Sequence, residues 1–250
     1  MDEGSKGRPE HFVATLFLRV AEIRHEIIIL LTNSPRNAES FQKVLEVMKR
    51  VQAMDVEYQE WQDNLPEEWR PKTVAWVDNV PGGDLLKAEV YPGRVDIFSD
   101  LAIGYAWQHA RTCRLFIIGL IIRCIAWVSY PVDYRTTPEY AYCSQVGVTL
   151  MGDLIAGVPY HLGWHIDEDG NLKGDDSNRD TGTFPNDEHV TSPKALGGFY
   201  SIWPLFCVLS ADYTTDSQRT WAKGRMTLIA DTMGLNQARV IGNVSSCTFR

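Results

Sequence analysis

The feature that most constrains the fold is the run 115–128, Leu-Phe-Ile-Ile-Gly-Leu-Ile-Ile-Arg-Cys-Ile-Ala-Trp-Val, interrupted by a single charge at Arg123. It continues a stretch from Asp96 in which Ile97, Leu101, Tyr105, Gln108 and Thr112 recur at helical spacing. A helix that is apolar almost all round has to be covered on most sides by other elements. The run is shorter than the roughly 20 residues that cross a bilayer. A central helix of a multi-helix domain is therefore expected, ended by Ser129-Tyr130-Pro131.

The rest of the chain can supply that cover. Phe12, Leu16, Val20, Ile23, Ile27 and Leu31 predict a helix over 9–32 with one apolar face, broken at Ser34-Pro35. A second helix places Phe41, Val44, Leu45, Met48 and Val51 opposite Lys43, Glu46, Lys49 and Arg50, and stops at Pro66. Residues 66–95, rich in Pro, Gly and Trp, read as a connector whose best strand candidate is 73–77. Val146, Leu150, Met151, Leu154 and Ile155 predict a helix over about 138–157, stopped by Gly157-Val158-Pro159. An apolar helix over 195–211 is expected to be buried and kinked near Pro204. A last helix, with N-cap candidates at 214–217, runs to Met233 and ends at Gly234. Residues 235–250 show no helical period. The expected fold is all-α, a multi-helix domain over 10–238 with a tail at 239–250.

Between these helices, residues 165–194 carry eight acids and three bases, so −5 of the net −8 sits there. With little to bury, this stretch reads as a long acidic loop. The acidic balance, and the lack of any Lys/Arg run denser than Lys49-Arg50, predict no direct nucleic-acid binding by this chain, since that needs a basic face. The five cysteines at 113, 124, 143, 207 and 247 contain no C-x-x-C and read as reduced, buried thiols. The polar first ten residues do not read as a signal peptide, and the sequon at Asn243 carries little weight without one.

Candidate chemistry is sparse. His161 and His165 have the i, i+4 spacing of a helical metal pair, but Gly163 and Pro159 interrupt the helix and no Glu base adjoins them. Counted from Asp167 as a calcium loop, positions six and twelve hold Leu172 and Asn178, where Gly and Glu are needed. His109 and Cys113 are four apart on the long helix without an orienting third group. Nucleotide-binding and nucleophile-elbow motifs do not occur. No catalytic, metal or cofactor site is expected, and the chain does not read as an enzyme. The candidate partner or effector surface is the aromatic turn Tyr160, His161, Trp164 and His165, because such rings bury much area with few rotors.

Several aromatic-rich phrases occur in order: Trp61-Gln-Asp-Asn-Leu-Pro66-Glu-Glu-Trp69, Asp100 to Arg114 around Tyr105 and Trp107, Ile155 to His165, Leu196-Gly-Gly-Phe-Tyr-Ser-Ile-Trp203-Pro, and Ser217 to Arg225 around Trp221. The series resembles the carboxy-terminal regulatory half of fungal zinc-cluster transcription factors, the fungal-specific transcription factor domain, over roughly 10–238. That resemblance implies a nuclear regulatory module acting through protein partners of the transcription machinery, self-association or a small-molecule effector. The family's zinc-cluster DNA-binding region is absent from these residues, so no zinc is implied here. The alternatives are a small-molecule-binding or catalytic helical domain, with 160–165 as a pocket wall, and a non-functional fragment.

Overall fold

A computed structural model describes residues 9–166, 172–173 and 192–243. Among them are seven α-helices: α1 (Pro9–Asn33), α2 (Ala38–Asn64), α3 (Leu101–Ser129), α4 (Pro138–His161), α5 (Ser192–Ser210), α6 (Asp216–Met233) and α7 (Asn236–Gly242). Two small hairpins accompany them, β1 (Lys72–Val77) with β2 (Gly93–Ile97), and β3 (His165–Ile166) with β4 (Leu172–Lys173). The fold is all-α in class. The chain divides into two compact units, Met1–Pro66 with Ala110–Leu150, and Glu67–His109 with Met151–Arg250, so α3 and α4 each contribute to both.

In the first unit, Phe12 stacks on Trp61 at 4.9 Å, Arg19 pairs with Glu57, and Arg50 pairs with Glu26 at 2.7 Å. Rising numbers on α1 meet falling numbers on α2, so the two form an antiparallel hairpin. Its turn is set by Asn37, whose side chain accepts from the Ser40 N–H at 2.8 Å. Leu16, Val20, Ile23 and Ile27 are buried, as their period predicts, but Phe41 is exposed and Val47 takes the inward position. A buried charge of this unit is Asp55, which receives Arg114 Nε at 2.7 Å and Nη2 at 3.3 Å, with Gln59 and the Tyr142 hydroxyl also donating to it. Arg114 lies over the Tyr58 ring at 4.8 Å.

The second unit is built on the α5–α6–α7 packing and the β1–β2 hairpin. Strand β1 confirms the candidate at 73–77. Its antiparallel partner β2 takes Asp96 and Ile97 out of the long helix, which starts at Leu101 instead of Asp96. Asp96 is buried between the Thr73 hydroxyl (2.7 Å) and Arg94, which also pairs with Asp153. A bulge between Thr73 and Ala75 breaks the alternation that would have advertised the strand pair. Trp107 donates its indole N–H to the Trp69 carbonyl at 2.7 Å, tying the connector to α3.

From Ile103 to Ser129 no residue of α3 is exposed, in line with its all-round apolarity. At 29 and 24 residues, α3 and α4 are long and apolar enough by length and composition to cross a membrane, more than the 115–128 run alone suggests. Both windows are half buried inside the fold, as core helices are. Helix α4 does not stop at Gly157-Val158-Pro159 but runs to His161, and Gly163 at φ +104° ends the turn. Helix α5 passes through Pro204 and is not buried all round, since Leu196, Phe199 and Trp203 are exposed on one stripe. Helix α6 opens on a capping box, with Thr215 Oγ1 accepting from the Gln218 N–H and Gln218 Oε1 from the Thr215 N–H at 2.9 Å. It closes on Gly234 at φ +71°. Helix α7 is a correction to the expected irregular tail. Two turns are too short to show a period, and the helix is held by buried Ala238. Of the expected acidic loop, 165–166 and 172–173 pair as a hairpin and 192–194 open α5. The rest, including the calcium-loop candidate from Asp167, lies outside the described residues, as does Cys247.

Candidate functional site

The aromatic turn sits at the C-terminal end of α4. The helix closes with shared bonds to its last carbonyls. The Leu162 N–H donates to the Val158 and Pro159 carbonyls at 3.2 and 3.0 Å, and the Trp164 N–H also reaches Pro159 O at 3.0 Å. The chain then turns back through Gly163, whose positive φ suits a residue without Cβ.

The four candidate residues do not share one environment. Tyr160 is half-buried against Phe98, rings edge-on at 5.4 Å, and burial raises its hydroxyl pKa, with the charge of Asp100 adding to the shift. His161 is 2% exposed, which removes it from any surface and corrects the reading of 160–165 as a uniform face. Its Nδ1 lies 3.0 Å from the Gly157 carbonyl, and its ring meets Phe98 at 5.6 Å. Two glycines make room for it. A Cβ on Gly104 would lie 2.9 Å from Nε2, and one on Gly197 would lie 2.0 Å from the His161 carbonyl oxygen. Trp164 is half-buried and donates its indole N–H to Glu89 Oε2 at 3.0 Å. The backbone of His165 pairs with Lys173 in the small hairpin, and its side chain lies outside the described residues.

The turn therefore presents Tyr160 and Trp164, supported from inside by His161. Phe98, Glu89, Gly104 and Gly197 complete it. None of these four was singled out from sequence. Gly197-Gly198 inside an apolar helix was the one available signal, since paired glycines there mark close approach.

The other candidates lie inside the fold. His109 is buried, keeps Nδ1 at 3.0 Å from the Tyr105 carbonyl, packs on the Tyr105 ring at 4.0 Å, and is pushed down to about 4 by desolvation. Cys113 is fully buried. Burial pushes the thiols of Cys124 and Cys143 up to about 12 and about 11, which disfavours the reactive thiolate. Among the described residues, no group of three or more His, Cys, Asp or Glu side chains is placed to hold a metal ion.

A second polar group lies on α6. Arg225 is 2% exposed, and its Nη2 donates to the Leu86 carbonyl at 3.3 Å. Desolvation lowers its pKa to about 10, partly offset by the charge of Glu89, the same carboxylate that accepts from Trp164.

Comparison with known proteins gives a distant relative. The chain is 22% identical over 245 residues to "Transcription factor dbaG" of Emericella nidulans, covering 93% of this chain and 53% of that protein. It thus spans about half the length of the relative it matches. No family model and no solved structure matches the chain. By this likeness the chain is distantly related to a fungal transcription factor.

Proposed function

We propose that this chain is a regulatory module of a fungal transcription regulator. In this reading it acts in the nucleus through partner or effector contacts, and reads no DNA and performs no catalysis itself. The observation that carries the reading is the extent of the likeness, which runs over 93% of the chain and is not confined to one motif. The all-helical fold and the net charge of −8 are consistent with a module that contacts proteins or small molecules more readily than phosphate backbones. Protein partners of the transcription machinery, self-association and a small-molecule effector are the contacts it would use. Tyr160 and Trp164 are the part of the aromatic turn available for them.

The test is a fusion of residues 1–250 to a foreign DNA-binding domain in a fungal host. The expected outcome is a change in reporter transcription relative to the DNA-binding domain alone, blunted by Tyr160→Ala/Trp164→Ala in a protein that still melts cooperatively. A reporter unmoved by a well-folded, nuclear fusion overturns the regulatory reading.

A further inference from the structure

Helix α5 is seated by its smallest residues and turns its largest ones outward. Gly197 and Gly198 face the fold, where a Cβ would stand 2.0 Å from the His161 carbonyl oxygen and 2.2 Å from Met233 Sδ, and Ser201 and Ile202 are buried beside them. Leu196, Phe199 and Trp203 lie on the other side and are 43%, 51% and 47% exposed. A surface helix ordinarily buries its bulky apolar residues and sets polar ones outward. Here no charged residue occurs from Ala195 to Ala211, so no ionised group of the helix lies beside the outer stripe.

The rings of the stripe are already held in place. Trp203 meets Phe206 edge-on at 5.6 Å, Phe199 lies against Tyr200 at 6.2 Å, and Tyr200 packs on Tyr105 of α3 at 4.4 Å. Side chains fixed in this way lose little freedom on docking. At about half exposure, three such residues present on the order of 300 Å² of apolar surface, the size of patch that on a monomer is often functional.

We propose that this stripe pairs with the same stripe of a second copy of the chain, antiparallel about a two-fold axis at the level of Ser201. The spacing selects that occupant. Leu196, Phe199, Trp203 and Phe206 are separated by three, four and three residues, a pattern that reads alike in both directions. In the antiparallel pair Phe199 meets the second copy's Trp203 and Leu196 meets its Phe206, each contact occurring twice, as an isologous interface requires. Alternating steps of three and four are also the spacing by which two helices pack along a seam. Charge agrees with the choice. An uncharged stripe suits a copy of itself, whereas a partner face carrying ions would lose their hydration and gain no counter-charge. With the flanking surface included, the pair buries on the order of 1,000 Å² over both copies, the low end for specific interfaces. The dimer is therefore weak and forms between micromolar and millimolar concentration.

The experiment is sedimentation equilibrium on the full chain across that concentration range. The weight-average mass is expected to rise from one chain towards two and to stop there. Trp203→Glu, which leaves the inward face of α5 untouched, should melt as the natural chain does and weaken the association at least about tenfold. Phe199→Lys should do the same. Because Phe199 of one copy faces Trp203 of the other, mixing Phe199→Lys with Trp203→Glu should restore a one-to-one pair that neither variant forms alone. Leu18→Glu, at an exposed leucine of α1, should change nothing. The proposal is overturned by a natural chain that stays monomeric or grows past two copies, by an association indifferent to Trp203→Glu and Phe199→Lys, by an equal loss in Leu18→Glu, or by a mixture that fails to pair. As one of the contacts through which the chain would regulate transcription, the dimer rests on the regulatory reading above. Mass and stoichiometry do not depend on transcription, so failure here is distinct from failure of the reporter assay.

Discussion

Each of the two units packs an arginine against its interior, half-buried Arg114 in the first and buried Arg225 in the second, and the two are treated in opposite ways. In the first unit Arg114 meets Asp55 through two nitrogens and lies over the Tyr58 ring, while Gln59 and Tyr142 complete the carboxylate. In the second, Arg225 has one long bond to a backbone carbonyl and two nitrogens unmet. Low local dielectric strengthens the first arrangement and penalises the second. A closed network of this kind specifies a fold. An open donor set is a cost that the rest of the fold has to offset.

Removing each arginine separately breaks or upholds that contrast. Arg114→Met leaves the Asp55 charge buried without its cation and is expected to cost about 3–5 kcal/mol, read from urea unfolding. A loss under about 1 kcal/mol would mean that the first unit's network is not closed in solution.

The next largest effect is a pH dependence in the second unit. The folded-state pKa of His109, about 4, lies below the 6.5 of an unperturbed imidazole. Between those values the unfolded chain takes up a proton that the folded chain refuses. Stability therefore falls as pH drops from 6.5 towards 4, by of order 3 kcal/mol in all, and the slope vanishes below that. His109→Phe keeps a ring against Tyr105 and should flatten the slope in melts taken across pH 4–7. An unchanged profile would place the acid sensitivity elsewhere.

The smallest effect is expected at the other arginine. Arg225→Met exchanges a buried charge, only partly offset by Glu89, for an apolar side chain and should leave stability within about 1 kcal/mol of the natural chain, or raise it. A loss as large as that of Arg114→Met would erase the difference between the two units.

Much of the helix layout was legible in the sequence, because it depends on local period and on caps. Leu16, Val20, Ile23 and Ile27 mark the inner face of α1, Thr215 starts α6 and Gly234 ends it. Less of the candidate site was legible. The aromatic turn stood out as a cluster, but its division into a buried His161 and half-buried Tyr160 and Trp164 depends on Phe98, Gly104 and Gly197, which lie tens of residues away in the chain. Helix α5 shows the same limit, since its composition is apolar throughout and nothing in it tells which flank lacks a neighbour.

By itself the sequence determined the helical class, the central apolar helix and the acidic balance. Each follows from a residue's own chemistry and that of its neighbours within a turn or two. The tertiary structure alone decided that Asp96 belongs to a strand pair, that His161 is core, and that Arg225 is buried with its donors unmet. Those outcomes turn on close approaches between distant segments, such as the Leu86 carbonyl against Gly224, and no local pattern encodes which backbone will arrive there.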